Sequence, residues 1–214
     1  MQLIDILILV GCFVLLAMIP RNPLRNRLLL LSVIFLFRLQ PAVPIRNFDF
    51  WFPLLTVGIT FFVWRVCGGK IEKNHRVDFT VILGTILLTA LTRFFELDGL
   101  LTRTRPPQPG IIIAALCVGG LILWLSGFWA RKKPAAFLSA GILLLLLLLI
   151  LLKTPALSLR ASMFLRTLSG QSAENAGTAD LRWLGFSYIA FRLLSVMIDA
   201  RTGFRPAPVP GIDH

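Results

Sequence analysis

The chain has 214 residues, 57% of them hydrophobic and 15% charged, and its mean hydropathy is +0.82. A water-soluble domain of this size has no interior large enough for that much apolar side chain, so composition leaves an integral membrane protein. The net charge of +12 comes from basic residues set between hydrophobic runs, which suits anionic lipid headgroups; no basic stripe with interleaved aromatics points to nucleic acid.

A helix needs roughly 17–25 mostly apolar residues to cross a bilayer. Leu3 to Ile19 meets this and stops at Pro20. Its start carries Asp5 and no Lys or Arg, unlike a secretory signal. "LVGC" (Leu9 to Cys12) resembles a lipoprotein cleavage box, but "FVLLAMIP" follows where a polar tether would stand, so the segment is expected to stay uncleaved. Leu28 to Leu39 is short and takes in Arg38. Trp51 to Cys67, Phe79 to Phe95 and Ile111 to Ala130 qualify, the last closed by Arg131, Lys132, Lys133 and Pro134. Ala135 to Leu152 is leucine at every position from Leu143 to Leu149 and apolar all round, which predicts lipid on most sides.

"TPALSLRASMFLRTLSG" (Thr154 to Gly170) follows. Leu157, Ala161, Phe164, Leu165 and Leu168 share one helix face, and Ser158, Ser162, Arg166 and Ser169 fall mostly opposite. Pro155 fits the first helical turn. The pattern fits a helix lying in the bilayer interface, and equally one packed on the bundle. Ser169 to Asp180 reads as a polar, mobile loop. Arg182 to Asp199 is the last candidate span.

The expected fold class is therefore an all-α integral membrane bundle of about six to seven transmembrane helices with a candidate interfacial helix. Residues 1–153 hold the first six spans, 154–180 the interfacial helix and polar loop, 181–204 the seventh span, and 205–214 a proline-rich tail. If all seven cross, the Lys and Arg bias places the N-terminus outside. If Leu28 to Leu39 only dips in, every later loop changes side. Ala115 and Gly119 form a small-xxx-small pair that permits close helix packing. Cys12, Cys67 and Cys117 are far apart and read as small buried hydrophobes. Neither a Gly-rich phosphate loop nor Cys/His zinc spacing occurs, so no metal or cofactor is expected.

The last span poses a problem. An Arg at the centre of a membrane helix costs at least about 2.5–3.5 kcal/mol, and Arg192 lies near the middle of this one. Tyr188, Arg192, Ser195 and Asp199 fall within an arc of about 60°. Such a stripe is expected to face the bundle or a water-filled cavity. Arg192 and Asp199 are about 10 Å apart along the axis, so Ser195 or water would bridge them, or Arg192 would pair with Glu96 or Asp98. The alternative is that Arg192 snorkels and Asp199 marks the helix end.

Gly185, Ser187, Tyr188, Phe191, Ser195, Ile198, Asp199 and Gly203 stand in the register of the signature segment of membrane-bound O-acyltransferases, and the stretch resembles that family. It departs at Arg192, where many members have Gln. "DLRWLGFSYIAFRLL" is similar to an uncharacterised bacterial branch, which implies a bacterial inner membrane. The likeness covers the stretch from Gly185 to Gly203; upstream only the layout of short hydrophobic spans agrees. The resemblance implies a multi-helix enzyme that moves an acyl group from a thioester or lipid donor to a hydroxyl acceptor inside a tunnel, with a buried His as general base. In the family that His lies well after the signature. His75, in "GGKIEKNHRVD", and His214, at the end of the tail, match it in neither case, so no catalytic residue is assigned. The expectation is the N-terminal portion of such an enzyme, inactive alone. Its partners would be membrane lipids and, in a full-length protein, the acyl donor and the acceptor. The alternatives are a stand-alone scaffold or accessory protein that binds partner helices through the stripe, and a small transporter.

Overall fold

The computed structural model describes residues 24–67, 73–94 and 106–203, together with residues 7, 10, 11, 14, 102 and 104. Among these every regular element is helical: α1 (Leu24–Leu39), α2 (Phe48–Val66), α3 (Lys73–Leu91), α4 (Pro109–Lys132), α5 (Pro134–Lys153), α6 (Pro155–Leu168), a 3-10 turn (Ala173–Asn175) and α7 (Phe186–Thr202). A proline opens each of α4, α5 and α6, where its missing N–H costs no intrahelical bond. Asn47, left-handed at φ 64°, precedes α2, and Asp49 occupies the positive end of that helix.

Among the described residues three helices, α2, α4 and α5, are long and apolar enough to cross a membrane. The protein is thus read as a helical membrane protein. Leu29–Leu39 within α1 and Phe79–Leu91 within α3 are apolar but shorter. Of the first candidate span only Leu7, Val10, Gly11 and Val14 are described, all helical and exposed. The tail, Glu96, Asp98, Cys12 and His214 lie outside the described residues.

The outer surface is that of a protein solvated by lipid. Val118, Leu121, Trp124 and Leu125 on α4, and Leu143, Leu147 and Ile150 on α5, are exposed, more large apolar side chain than a water-facing helix pair presents. Only 22% of the α5 window is buried, in keeping with lipid on most of its sides.

Inside, α1 packs on α3, α2 on α4, and α5 on α4, α6 and α7. One apolar cluster, including Phe37, Phe50, Ile86 and Ile112, ties α1 to α4 together; a second, including Val63, Leu145, Ala190 and Met197, joins α2, α5 and α7. A Cβ at Gly141 would sit 2.3 Å from Met197 Cε, so the end of the Met197 side chain occupies the space that the glycine leaves on α5.

The connections after α1, α3 and α5 meet at one end of the bundle. Gln40 bonds Arg182 and Leu184, Gln171 bonds Pro44 and Arg46, and Asp49 bonds Thr104. Helices α1, α3 and α5 therefore run toward this end, and α2, α4 and α7 run away from it. In the segment from Ser169 to Asp180 the Gln171 amide bonds the backbone of the connection between α1 and α2, accepting from the Arg46 N–H and donating to the Pro44 carbonyl.

Candidate functional site

Helices α2, α3, α4 and α5 part along their length and leave a cleft of about 430 Å³. Trp51, Gly58 and Phe61 of α2, Ile82 of α3, Gly119 of α4 and Leu144 of α5 are among its walls, and no lining residue carries a charge or a hydroxyl. The glycines make the space: at Gly58, Gly119 and Gly120 a Cβ would meet nothing within 4 Å. Gly119, and with it Ala115, lines the cleft.

From Trp51 to Val63 the cleft follows α2 for about 18 Å at 1.5 Å per residue, close to the ~15 Å of hydrocarbon in one leaflet. Its volume falls within the roughly 300–1,000 Å³ of small-molecule sites. Such walls can hold a hydrocarbon chain. They offer no acid, base or nucleophile to it.

Polar chemistry is gathered at the loop end. Asp49, 2% exposed, accepts from the Thr104 N–H and hydroxyl, both at 2.7 Å. Beside it Arg93 donates to the Pro106 carbonyl. The buried Gln40 amide donates to the Arg182 carbonyl at 2.7 Å and accepts from the Leu184 N–H at 3.3 Å. Asp180 Oδ2 accepts from Arg166 Nε at 2.6 Å, Ser162 Oγ at 2.6 Å and the Gly177 N–H at 3.2 Å. Burial alone would raise the Asp180 pKa. The Arg166, Ser162 and Gly177 hydrogen bonds outweigh it and hold the carboxyl below its ordinary value. With three donors aimed at it, this carboxylate is a clasp for the loop and not a free base.

The clasp reverses the usual sense of α6. Ser158, Ser162 and Arg166 are buried, while Leu157, Phe164 and Leu168 are exposed. Of its apolar side, Ala161 and Leu165 pack against the cluster of Val43, Ile45, Phe52 and Leu181.

The stripe on α7 is likewise placed differently from expectation. Tyr188, Arg192, Ser195 and Asp199 are exposed, and the flank against the bundle is Phe186, Ala190, Leu194 and Met197. Apolar side chains occur on both sides of this helix, so hydrophobicity does not choose between them. On the packed side Phe186, Ala190, Leu194 and Met197 join the cluster of Val63 and Leu145. Arg192 Nη1 lies 3.5 Å from Tyr188 Oη and Ser195 Oγ donates to the Phe191 carbonyl at 3.2 Å.

Of the signature residues, Ser187 is half-buried, and Phe191 and Ile198 are exposed at 62% and 48%. Gly185 and Gly203 bracket α7, with φ of 69° and 73°. Both are left-handed caps, which explains glycine at each end of the segment by backbone geometry alone. Gly185→Ala is expected to lower stability by about 1–2 kcal/mol, the cost of a Cβ in that conformation; thermal unfolding in detergent measures it.

Residue 75 lies in the first turn of α3 and not in a loop. Cys67 is half-buried, Cys117 is exposed, and both are free. Among the described residues no cluster of His, Cys, Asp and Glu could hold a metal. Sequence reasoning missed Gln40, Asp49 and Asp180. The signal available for the last was slight: Ser158, Ser162 and Arg166 repeat at one-turn spacing, and Asp180 is one of few acids that follow. The chain matches no family model, no curated protein and no solved structure.

Proposed function

We propose that α1, α3 and α7 cross the bilayer beside α2, α4 and α5, and that the cleft among α2 to α5 holds one acyl chain of a membrane lipid or lipid-like donor. The observation that carries this is the cleft wall, apolar throughout and about as long as one leaflet is deep. The resemblance of Gly185 to Gly203 to the membrane-bound O-acyltransferases supplies a role for such a chain: it is the acyl group destined for a hydroxyl acceptor, in a bacterial inner membrane. No titratable side chain lines the cleft, so in this reading the region binds and positions, and proton transfer is done by other groups.

Photolabelling tests it. The chain in liposomes is irradiated with a diazirine-bearing palmitoyl phospholipid, and the labelled residues are mapped by mass spectrometry. Label is expected between Trp51 and Val63 and around Gly119. Gly58→Leu with Gly119→Leu, whose added Cβ atoms meet nothing within 4 Å, should lower that labelling by about tenfold, the effect of ~1.4 kcal/mol in binding. Equal labelling of the filled variant, or label only on the outer faces of α4 and α5, would refute the assignment.

A second reading, a scaffold that receives partner helices, is favoured by one observation: the charged stripe of α7 faces outward.

A further inference from the structure

The depth of that stripe can be read from its neighbour. Helix α5 is a candidate span of 20 residues, Pro134–Lys153, whose midpoint falls between Leu143 and Leu144. Helix α7 runs antiparallel to it, with Met197 over Gly141. Counting back along α7 from that contact sets Arg192 level with Leu146, about 4 Å from the middle of α5 at 1.5 Å per residue. Asp199 lies level with Ser139, about 7 Å from the middle on the other side. If α5 crosses the bilayer, both charges stand within its hydrocarbon, on an exposed flank. This rests on the proposal above that α7 crosses.

An uncovered Arg there costs at least about 2.5–3.5 kcal/mol. Its side chain turns back one helical turn toward Tyr188, about 5.4 Å, whereas the nearer headgroups are about 11 Å away in a core of ~30 Å. Snorkelling does not reach them. A second copy does not solve the problem either. Copies of like orientation in a bilayer are related by an axis along the membrane normal, which sets Arg192 against Arg192 at equal depth. Exposed Tyr188, Phe191, Val196 and Ile198 frame the charges with apolar and aromatic surface, as a helix interface requires.

We infer that the outer flank of α7 is an intramembrane docking surface for a transmembrane helix of a different protein segment, one that carries a carboxylate at mid-depth opposite Arg192. A hydroxyl or amide donor further along that helix meets Asp199.

The test uses leucine-based transmembrane peptides with Glu, Lys or Leu at the centre, reconstituted with the labelled chain in liposomes and read by energy transfer. Cys12, Cys67 and Cys117 are replaced by Ala, and the fluorophore is attached through Ser195→Cys or, for binding, at the N-terminus. The Glu peptide is expected to bind about tenfold more tightly than the Lys or Leu peptide, the scale of a polar contact between helices in lipid. Arg192→Leu should abolish the preference and Arg192→Glu should transfer it to the Lys peptide. Equal binding of all three peptides overturns the inference, as does Arg192-dependent association of the chain with itself. Depth-dependent quenching of the fluorophore at residue 195 by spin-labelled lipids separates the two proposals. A label in water removes the crossing of α7 and the docking surface with it, whereas a label at mid-depth with no peptide preference removes the docking surface alone.

Discussion

Asp180→Ala is expected to destabilise the folded chain by about 3–5 kcal/mol, because it strands a buried guanidinium. Arg166 and Asp180 are 7% and 5% exposed, and their contact at 2.6 Å is the ion pair that anchors the loop between α6 and α7. With the carboxylate gone, Arg166 keeps its charge and loses its counter-ion, and Ser162 and Gly177 lose their acceptor. Arg166→Met combined with Asp180→Ala should recover most of the loss, since apolar replacement of both partners of a buried pair is often near neutral. The pH dependence has a definite sign. The folded carboxyl is held below its ordinary value, so the stability it contributes is fully present above the unfolded pKa of about 3.9. It is lost as pH falls through the lower, folded value. Unfolding in detergent at neutral and acid pH measures both effects. A single variant as stable as the parent would refute the clasp, as would a double variant no better than the single.

The same loop shows what could be read from sequence and what could not. Helices α2, α4 and α5 are legible because each is a long apolar run closed by Pro or by basic residues. The run marks the lipid-facing stretch and not the helix ends, which is why α1 begins at Leu24 and α3 at Lys73, ahead of the apolar starts at Leu28 and Phe79. Backbone hydrogen bonding continues through polar residues at no cost in water. Helix α6 was legible from Pro155 onward, with its two faces correctly sorted. Amphipathicity sorts the two sides of such a helix and does not say which of them the bundle takes. On α7 the gathering of Tyr188, Arg192, Ser195 and Asp199 was legible, but the flank that packs depends on partners on other helices, Val63 and Leu145 among them. The cleft was legible only as isolated glycines, because a void is a property of four helices together. Gln40 with Arg182, and Asp49 with Thr104, join residues far apart in the chain, and nothing local in either sequence announces the other.

Trp183→Ala should lower stability by about 3–5 kcal/mol, as large aromatic truncations in packed sites do. The indole stacks on Phe52 at 4.8 Å and 11° and on Phe186 at 4.2 Å and 28°. Its Nε1–H donates to Thr56 Oγ1 at 2.8 Å, and that hydroxyl donates in turn to the Phe52 carbonyl at 2.9 Å. Trp183 packs against both the α2–α5–α7 cluster and the cluster of Val43, Ile45, Phe52 and Leu181, so its loss separates the entry to α7 from the body of the bundle. Trp183→Phe keeps most of the stacking and loses the donor. It should cost only about 0.5–1.5 kcal/mol for the hydrogen bond, since Thr56 retains its bond to Phe52. The contrast between the two variants, read as melting temperature in detergent, distinguishes ring packing from the polar contact. Equal losses in both would assign the stability to the Thr56 hydrogen bond. Little loss in either would mean that Gln40 and the Arg166–Asp180 pair hold the start of α7 without the indole.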